Sequence, residues 1–326
     1  MSTVYFLVQQ MWFFSIPLLI VALGGMFSER SGVVNIALEG IMVIGAFCSI
    51  FFINLIQKGT GSPGWLFSGQ GLLMLAILVA AASGMLFSLL HAYAAINLRS
   101  DQVISGTALN MFAPAFAIYM ARTLQANNVQ QVQFVNEFRI RSVPLLGDIP
   151  VIGPLFFQNV FVTTYIGLLI LLIGAFVLYK TRFGLRLRAC GEHPQAADSV
   201  GVNVYKVRYA GVAISGALAG LGGLVFVVPT STNFNATVSG YGFLALAVLI
   251  FGQWKPARVF LAALFFGLMK TVASAYSGIP LLKDLPIPSD VYKLIPYITT
   301  LVVLAFTSKH SQAPKACGVP YDRGSR

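Results

Sequence analysis

"GEHPQAADSVGVNV", residues 191–204, is a polar island in a chain of 326 residues that is 57% hydrophobic. Pro194 suits the first position of a helix with His193 before it as cap, and Gly201 suits the stop just past a helix end. The stretch between them, Gln195 to Val200, makes about two turns, far too short to hold alone in water. Two readings stand: a loose charged loop, or a short helix that docks on something. In the second reading Ala196, Ala197 and Val200 form a small apolar face suited to a cleft in a partner.

The flanks decide what kind of protein surrounds this island. Only 10% of residues are charged, and the mean hydropathy is +0.81. A soluble domain of this size cannot hide so much apolar surface, so lipid is the solvent. At about 20 apolar residues per crossing, nine spans are expected: 6–26, 36–56, 72–95, 103–121, 160–179, 209–228, 238–253, 259–276 and 291–306. The seventh is short and reads as a tilted or broken helix. The expected fold class is an all-α polytopic membrane protein, with one transmembrane domain over 1–307 and a flexible tail over 308–326.

A net charge of +11 raises the question of nucleic acid, but the basic residues are not gathered into one patch, and no nucleic-acid partner is expected. They lie at span ends, as the positive-inside rule requires. Connection 180–208 carries Lys180, Arg182, Arg186, Arg188, Lys206 and Arg208 against Glu192 and Asp198, while 229–237 carries no charge. Nine crossings then put 180–208, 254–258 and the tail in the cytoplasm and the N-terminus outside, provided the seventh crosses fully.

Enzymatic signatures are missing. There is no G-x-x-x-x-G-K-[ST] loop, since Lys270-Thr271 follows Met269, so the chain has no such route to ATP. No H-E-x-x-H pattern occurs, and Cys48, Cys190 and Cys317 fit neither a disulfide framework nor a zinc spacing. No catalytic residue, cofactor site or metal site is expected. A stand-alone ion-coupled transporter needs buried relay groups; Glu39 is the clearest intramembrane acid, which keeps that class alive as an alternative.

Two further stretches break the apolar pattern. Ser28 to Gly40 mixes glycine with Asn35 and Glu39 at the edge of a span. It is either a tight turn with Glu39 complementing a helix dipole or irregular backbone at depth, which membranes tolerate only when buried in protein or lining a cavity. The external connection 123–158 is long enough to cover a pore mouth or receive a partner, or it lies as an amphipathic segment on the membrane surface.

The run from Arg188 to Val204 resembles the cytoplasmic loop of ATP-binding-cassette importer permeases of the branched-chain amino acid, simple-sugar and nucleoside type. "SGVVNIALEGIMVIGAF" (31–47), "SDQVISGTALNMFAP" (100–114) and "ATVSGYGFLALAVLIFGQWKP" (236–256) are similar to the same family in the same order, over roughly residues 20–306. The nearest branch is the smaller permease of nucleoside importers. The resemblance implies a multi-pass protein of the bacterial cytoplasmic (inner) membrane, working beside membrane lipids with a cassette ATPase, a second homologous permease and an extracytoplasmic substrate-binding lipoprotein. ATP would be bound by the ATPase. The resemblance also makes 194–200 a coupling helix, with Glu192, Pro194, Ala196, Ala197, Asp198, Gly201 and Asn203 at the ATPase. Asn35, Glu39, Ser105, Thr107 and Asn110 are the candidate residues of the path for a neutral solute, nucleosides first and simple sugars second.

Overall fold

A computed structural model describes residues 2–59, 68–125, 128–144, 146–276, 288–307 and 312–322. The protein is a helical bundle: α1 (Ser2–Arg30), α2 (Leu38–Gly59), α3 (Gly69–Ile96), α4 (Gln102–Leu124), α5 (Val162–Lys180), α6 (Arg182–Glu192), α7 (Pro194–Ser199), α8 (Val204–Thr230), α9 (Tyr241–Phe251), α10 (Pro256–Ala275) and α11 (Ser289–Thr307). Helices dominate because a spanning segment in hydrocarbon must pair its own backbone groups.

Helix α8 is the hub, packing against α1, α2 and α3. Its sequence explains the position, because Gly216 and Gly220 put bare backbone on one face. A Cβ on Gly220 would lie 2.3 Å from the Ala80 carbonyl oxygen of α3, and one on Gly45 of α2 would lie 2.3 Å from Gly220 Cα. Three helices thus meet backbone to backbone, the close approach that drives helix association where no hydrophobic effect separates lipid from protein. Helix α4 packs on this bundle's edge, against α2 and α3, and α5 lies on α1.

Among the described residues, seven helices are long and apolar enough to cross a membrane: α1 to α5, α8 and α10. They correspond to the expected first to sixth and eighth spans. Helix α11 occupies the place of the ninth and runs for nineteen residues. The seventh differs in kind. Its helix, α9, has eleven residues, about 16 Å of rise, half of a hydrocarbon core. The other half, 231–240, is not helical.

Hydrogen bonds sort the ends of the bundle into two faces. On one, Asn54 Nδ2 donates to the Gln133 carbonyl, Gln70 Nε2 to Phe138 and Gln9 Nε2 to Pro154. Two short antiparallel ladders tie this face together: β1 (Val132–Gln133) with β4 (Asn233–Phe234), and β2 (Arg139–Ser142) with β3 (Gln158–Phe161). The described residues of the long connection 123–158 therefore form a folded cap over the helix ends. The opposite face holds α6, α7 and the ends of α1 and α9.

Residues 312–322 also lie on the α7 face, and they are docked where the sequence suggested flexibility. The Ala316 amide donates to the Gly191 carbonyl at 2.8 Å, and the Gly318 amide to Gly32 at 3.2 Å. Arg208 Nη1 donates to the Val319 carbonyl at 3.1 Å, and Arg99 forks onto Asp322 at 2.8 and 3.0 Å. Tyr321 is buried. The anchors are one aromatic, the Asp322 carboxylate and several backbone groups, which a polar composition hides. All three cysteines are free. Burial pushes the Cys190 thiol up to about 11 and raises that of Cys317 as well, so both stay protonated and unreactive at neutral pH.

Candidate functional site

Two regions of the fold are candidates for function: the α6–α7 hairpin and the broken seventh crossing. The hairpin begins where Thr181 Oγ1 accepts the Gly184 amide at 3.1 Å and caps α6. Leu187 and Cys190 point inward, and a Cβ on Gly191 would lie 2.4 Å from the Arg30 carbonyl oxygen. The end of α6 is therefore pressed against the end of α1. His193 turns the chain, and Pro194 opens α7. The His193 side chain forms no cap bond; its carbonyl accepts the Ala197 amide at 3.1 Å. Gly201 ends the motif at φ +82, the left-handed geometry that glycine adopts without a Cβ penalty.

The sequence-predicted partner residues of this hairpin do not all face outward. Ala197 is 4% exposed and belongs to the core, whereas Val200 is 78% exposed and Ala196 is also exposed. The expected Ala196/Ala197/Val200 face is thus split. Ala197 is the anchor that lets so short a helix persist, and Ala196 with Val200, one turn apart, is the side left exposed. Glu192 is engaged within the chain, 3.7 Å from Arg30 and accepting the Lys315 amide at 3.4 Å. Asn203 caps α8 by accepting the Lys206 amide. Pro194 is buried, Asp198 is half-buried, and the space around the Gly201 Cα is open.

The five expected path residues turn out to be mostly struts. Residues 31–37, between α1 and α2, enter the bundle as irregular backbone, and neighbouring side chains pair their polar groups. The Val34 amide donates to Gln102 Oε1 at 2.7 Å. His91 Nε2 meets the Val34 carbonyl at 2.8 Å, and a carbonyl only accepts, so this nitrogen carries the proton and Nδ1 accepts from Ser105 Oγ at 3.1 Å. Asn110 accepts the Gly40 amide at 2.7 Å and donates to the Ile36 carbonyl at 2.8 Å. Asn35 is 0% exposed and donates to Ser215 Oγ. Thr107 is exposed, but its hydroxyl bonds back to Val103 of its own helix. The structure brings Asn35, Ser105 and Asn110 to one bend as supports, with His91 and Gln102 as supports the sequence reading passed over.

Glu39 has a different task. Its carboxyl oxygens accept the Gly240 amide at 2.9 Å and the Gly242 amide at 2.6 Å. The Tyr241 amide donates to Val238 O. Glu39 thus closes the N-terminal end of α9, whose orphan amides otherwise form a ready anion site. At the other end, Trp254 Nε1 donates to Glu29 at 2.6 Å and Arg30 donates to the Trp254 carbonyl at 3.0 Å. The half-helix is fixed to α1 and α2 at both ends. Between β4 and α9, Ala236 and Ser239 both sit at φ 55, a conformation that costs non-glycine residues on the order of 1–3 kcal/mol each and persists only where surrounding structure dictates it.

This arrangement of a helical bundle, a short α6–α7 hairpin at one face and a half-helical crossing can be set beside known proteins. Residues 7–304 match the family described as branched-chain amino acid transport system / permease component. The chain belongs to this family. The permease is 46% identical to the guanosine ABC transporter permease protein NupQ of Bacillus subtilis, over 96% of this chain and 95% of that one. It is 43% identical to the nucleoside ABC transporter permease protein NupC of Lactococcus lactis, over 98% of both chains. It is 31% identical to a putative glucose ABC transporter permease protein, TsgC13, of Haloferax volcanii, over 89% of this chain and 87% of that one. No solved structure matches it. As an ABC importer permease it is a multi-pass membrane subunit and not an enzyme. It binds no cofactor itself and works with an ATPase and a substrate-binding protein. Membership also removes the stand-alone ion-coupled reading.

Proposed function

We propose that this permease imports nucleosides as one of two homologous permease subunits, with α7 seated in a cleft of the cassette ATPase and the folded cap 123–158 receiving the binding protein. The observation that carries the substrate is the identity of 46% and 43% with guanosine and nucleoside permeases from end to end, against 31% with the glucose relative. The site chemistry agrees. Glu39 already occupies the amides at the start of α9, so the broken crossing offers no helix terminus to an anion. That suits an uncharged solute.

Mechanically, ligand leaves the binding protein and enters between the two permeases, and ATPase closure moves α7. The hairpin transmits that movement because α6 is pressed on α1 through Gly191 and Arg30, and α1 in turn holds the lower end of α9 through Glu29 and Trp254. Arg186, exposed on α6, supports docking on acidic ATPase surface. The test is uptake by the full importer in vesicles. ATP-dependent guanosine uptake that excess glucose leaves unchanged supports the proposal. Glucose uptake that guanosine does not compete moves the chain to the sugar branch.

A further inference from the structure

The non-helical half of the seventh crossing presents an alternation of burial that a lipid-facing or a wholly buried segment does not need. Phe234, Ala236 and Val238 are buried, while Asn235, Thr237 and Ser239 between them are exposed. The chain is not a regular strand here, since Ala236 and Ser239 turn at φ 55, but the burial alternates strictly, so the three polar residues share the uncovered side. Their depth follows from their neighbours. Residues 233–234 pair with β1 at the capped face, but the Gly240 amide reaches Glu39. Glu39 lies fifteen residues of α2 below Asn54, whose side chain touches the cap, about 22 Å along the helix. The row therefore descends from the cap well into the membrane's thickness.

Non-helical backbone at that depth is compatible with hydrocarbon only where it is buried in protein or lines water. The outward side is not buried by this chain. It borders a cavity of about 240 Å³ whose lining includes Thr230, Ser231, Asn233, Asn235, Thr237 and Ser239. None of the nine lining residues is ionisable. We infer that the polar row Asn235–Thr237–Ser239 is this subunit's wall of the translocation path, and that it offers hydroxyl and amide groups to a neutral, polyhydroxylated solute. The assignment rests on the importer reading, and it moves the path away from the bend at Asn35 and Asn110.

The test places single cysteines at 235, 236, 237, 238 and 239 in the complete importer in its membrane and measures labelling by an impermeant methanethiosulfonate reagent. Labelling requires a thiolate and hence water. The expected result is reaction at 235, 237 and 239 roughly ten-fold or more faster than at 236 and 238, slowed by saturating guanosine, with uptake lost on labelling. Equal rates at all five positions overturn the inference. So does silence at all five, which places the row in lipid or in a dry subunit contact. Guanosine uptake by the unlabelled variants is scored separately. An alternating pattern that guanosine does not slow, in a transporter that moves no guanosine, leaves the path standing and removes the nucleoside reading.

Discussion

Residues 31–37 and residues 231–240 both leave helical geometry inside the bundle, where an unpaired amide or carbonyl is costly because no water replaces the lost bond. They meet that cost differently. The first segment is enclosed, and side chains from α3, α4 and α8 (His91, Gln102, Asn110 and Ser215) hold its backbone and Asn35. The second pairs with β1 at its top, is closed by Glu39 at its bottom, and leaves a polar row uncovered between. Polar residues near a break in a membrane helix thus have two opposite meanings. Where their hydrogen bonds end within the chain they are structural, and where they face out they are available to a solute.

The largest effect that would break this comparison comes from the enclosed segment. Asn110→Leu strips partners from the Gly40 amide and the Ile36 carbonyl together, so stability is expected to fall by about 3 kcal/mol, seen as loss of monodisperse protein and a lowered Tm in detergent. A variant with wild-type Tm would show that the bend needs no support from α4. Next comes the same inward–outward contrast at α7. Ala197→Asp buries a carboxyl in the core and is expected to destabilise by roughly 2 kcal/mol and loosen the hairpin. Val200→Asp is expected to leave Tm unchanged while weakening co-purification of the ATPase. Equal ATPase recovery with both variants would sink the assignment of Val200 to the docking side.

A smaller loss is expected for Asn35→Ala, about 1 kcal/mol for one buried hydrogen bond, with guanosine KM unchanged at matched expression. A raised KM with unchanged Tm would return Asn35 to the path. Smallest in stability is Thr237→Val, within about 0.5 kcal/mol because the site is exposed and its one bond within the chain, accepted from the Ser239 amide, passes to water, yet guanosine uptake is expected to drop. That pairing of unchanged stability with impaired transport is the reverse of the Asn35 result and sharpens the distinction between the two segments.

The amino-acid sequence by itself determined that the chain is a polytopic helical membrane protein, where most spans lie, that a Pro194-to-Gly201 stretch interrupts them as either a loop or a short helix, and which family the motifs resemble. These follow from apolar run length, capping chemistry and turn residues, all local properties. It also flagged the seventh span as too short for a plain helix. Only the tertiary structure decided that Ala197 faces in and Val200 out, because a helix of six residues carries too little periodicity to fix its own rotation. The same holds for Asn35, Glu39 and Asn110, whose polarity was legible but whose partners come from helices up to 203 positions away. The docking of 312–322 was hidden for a related reason, since it depends on one buried tyrosine, on an Arg99–Asp322 pair 223 positions apart and on backbone groups that any sequence supplies. Side-chain chemistry marks a residue as polar within an apolar chain, and packing decides whether that polarity is spent on the fold or left for a solute.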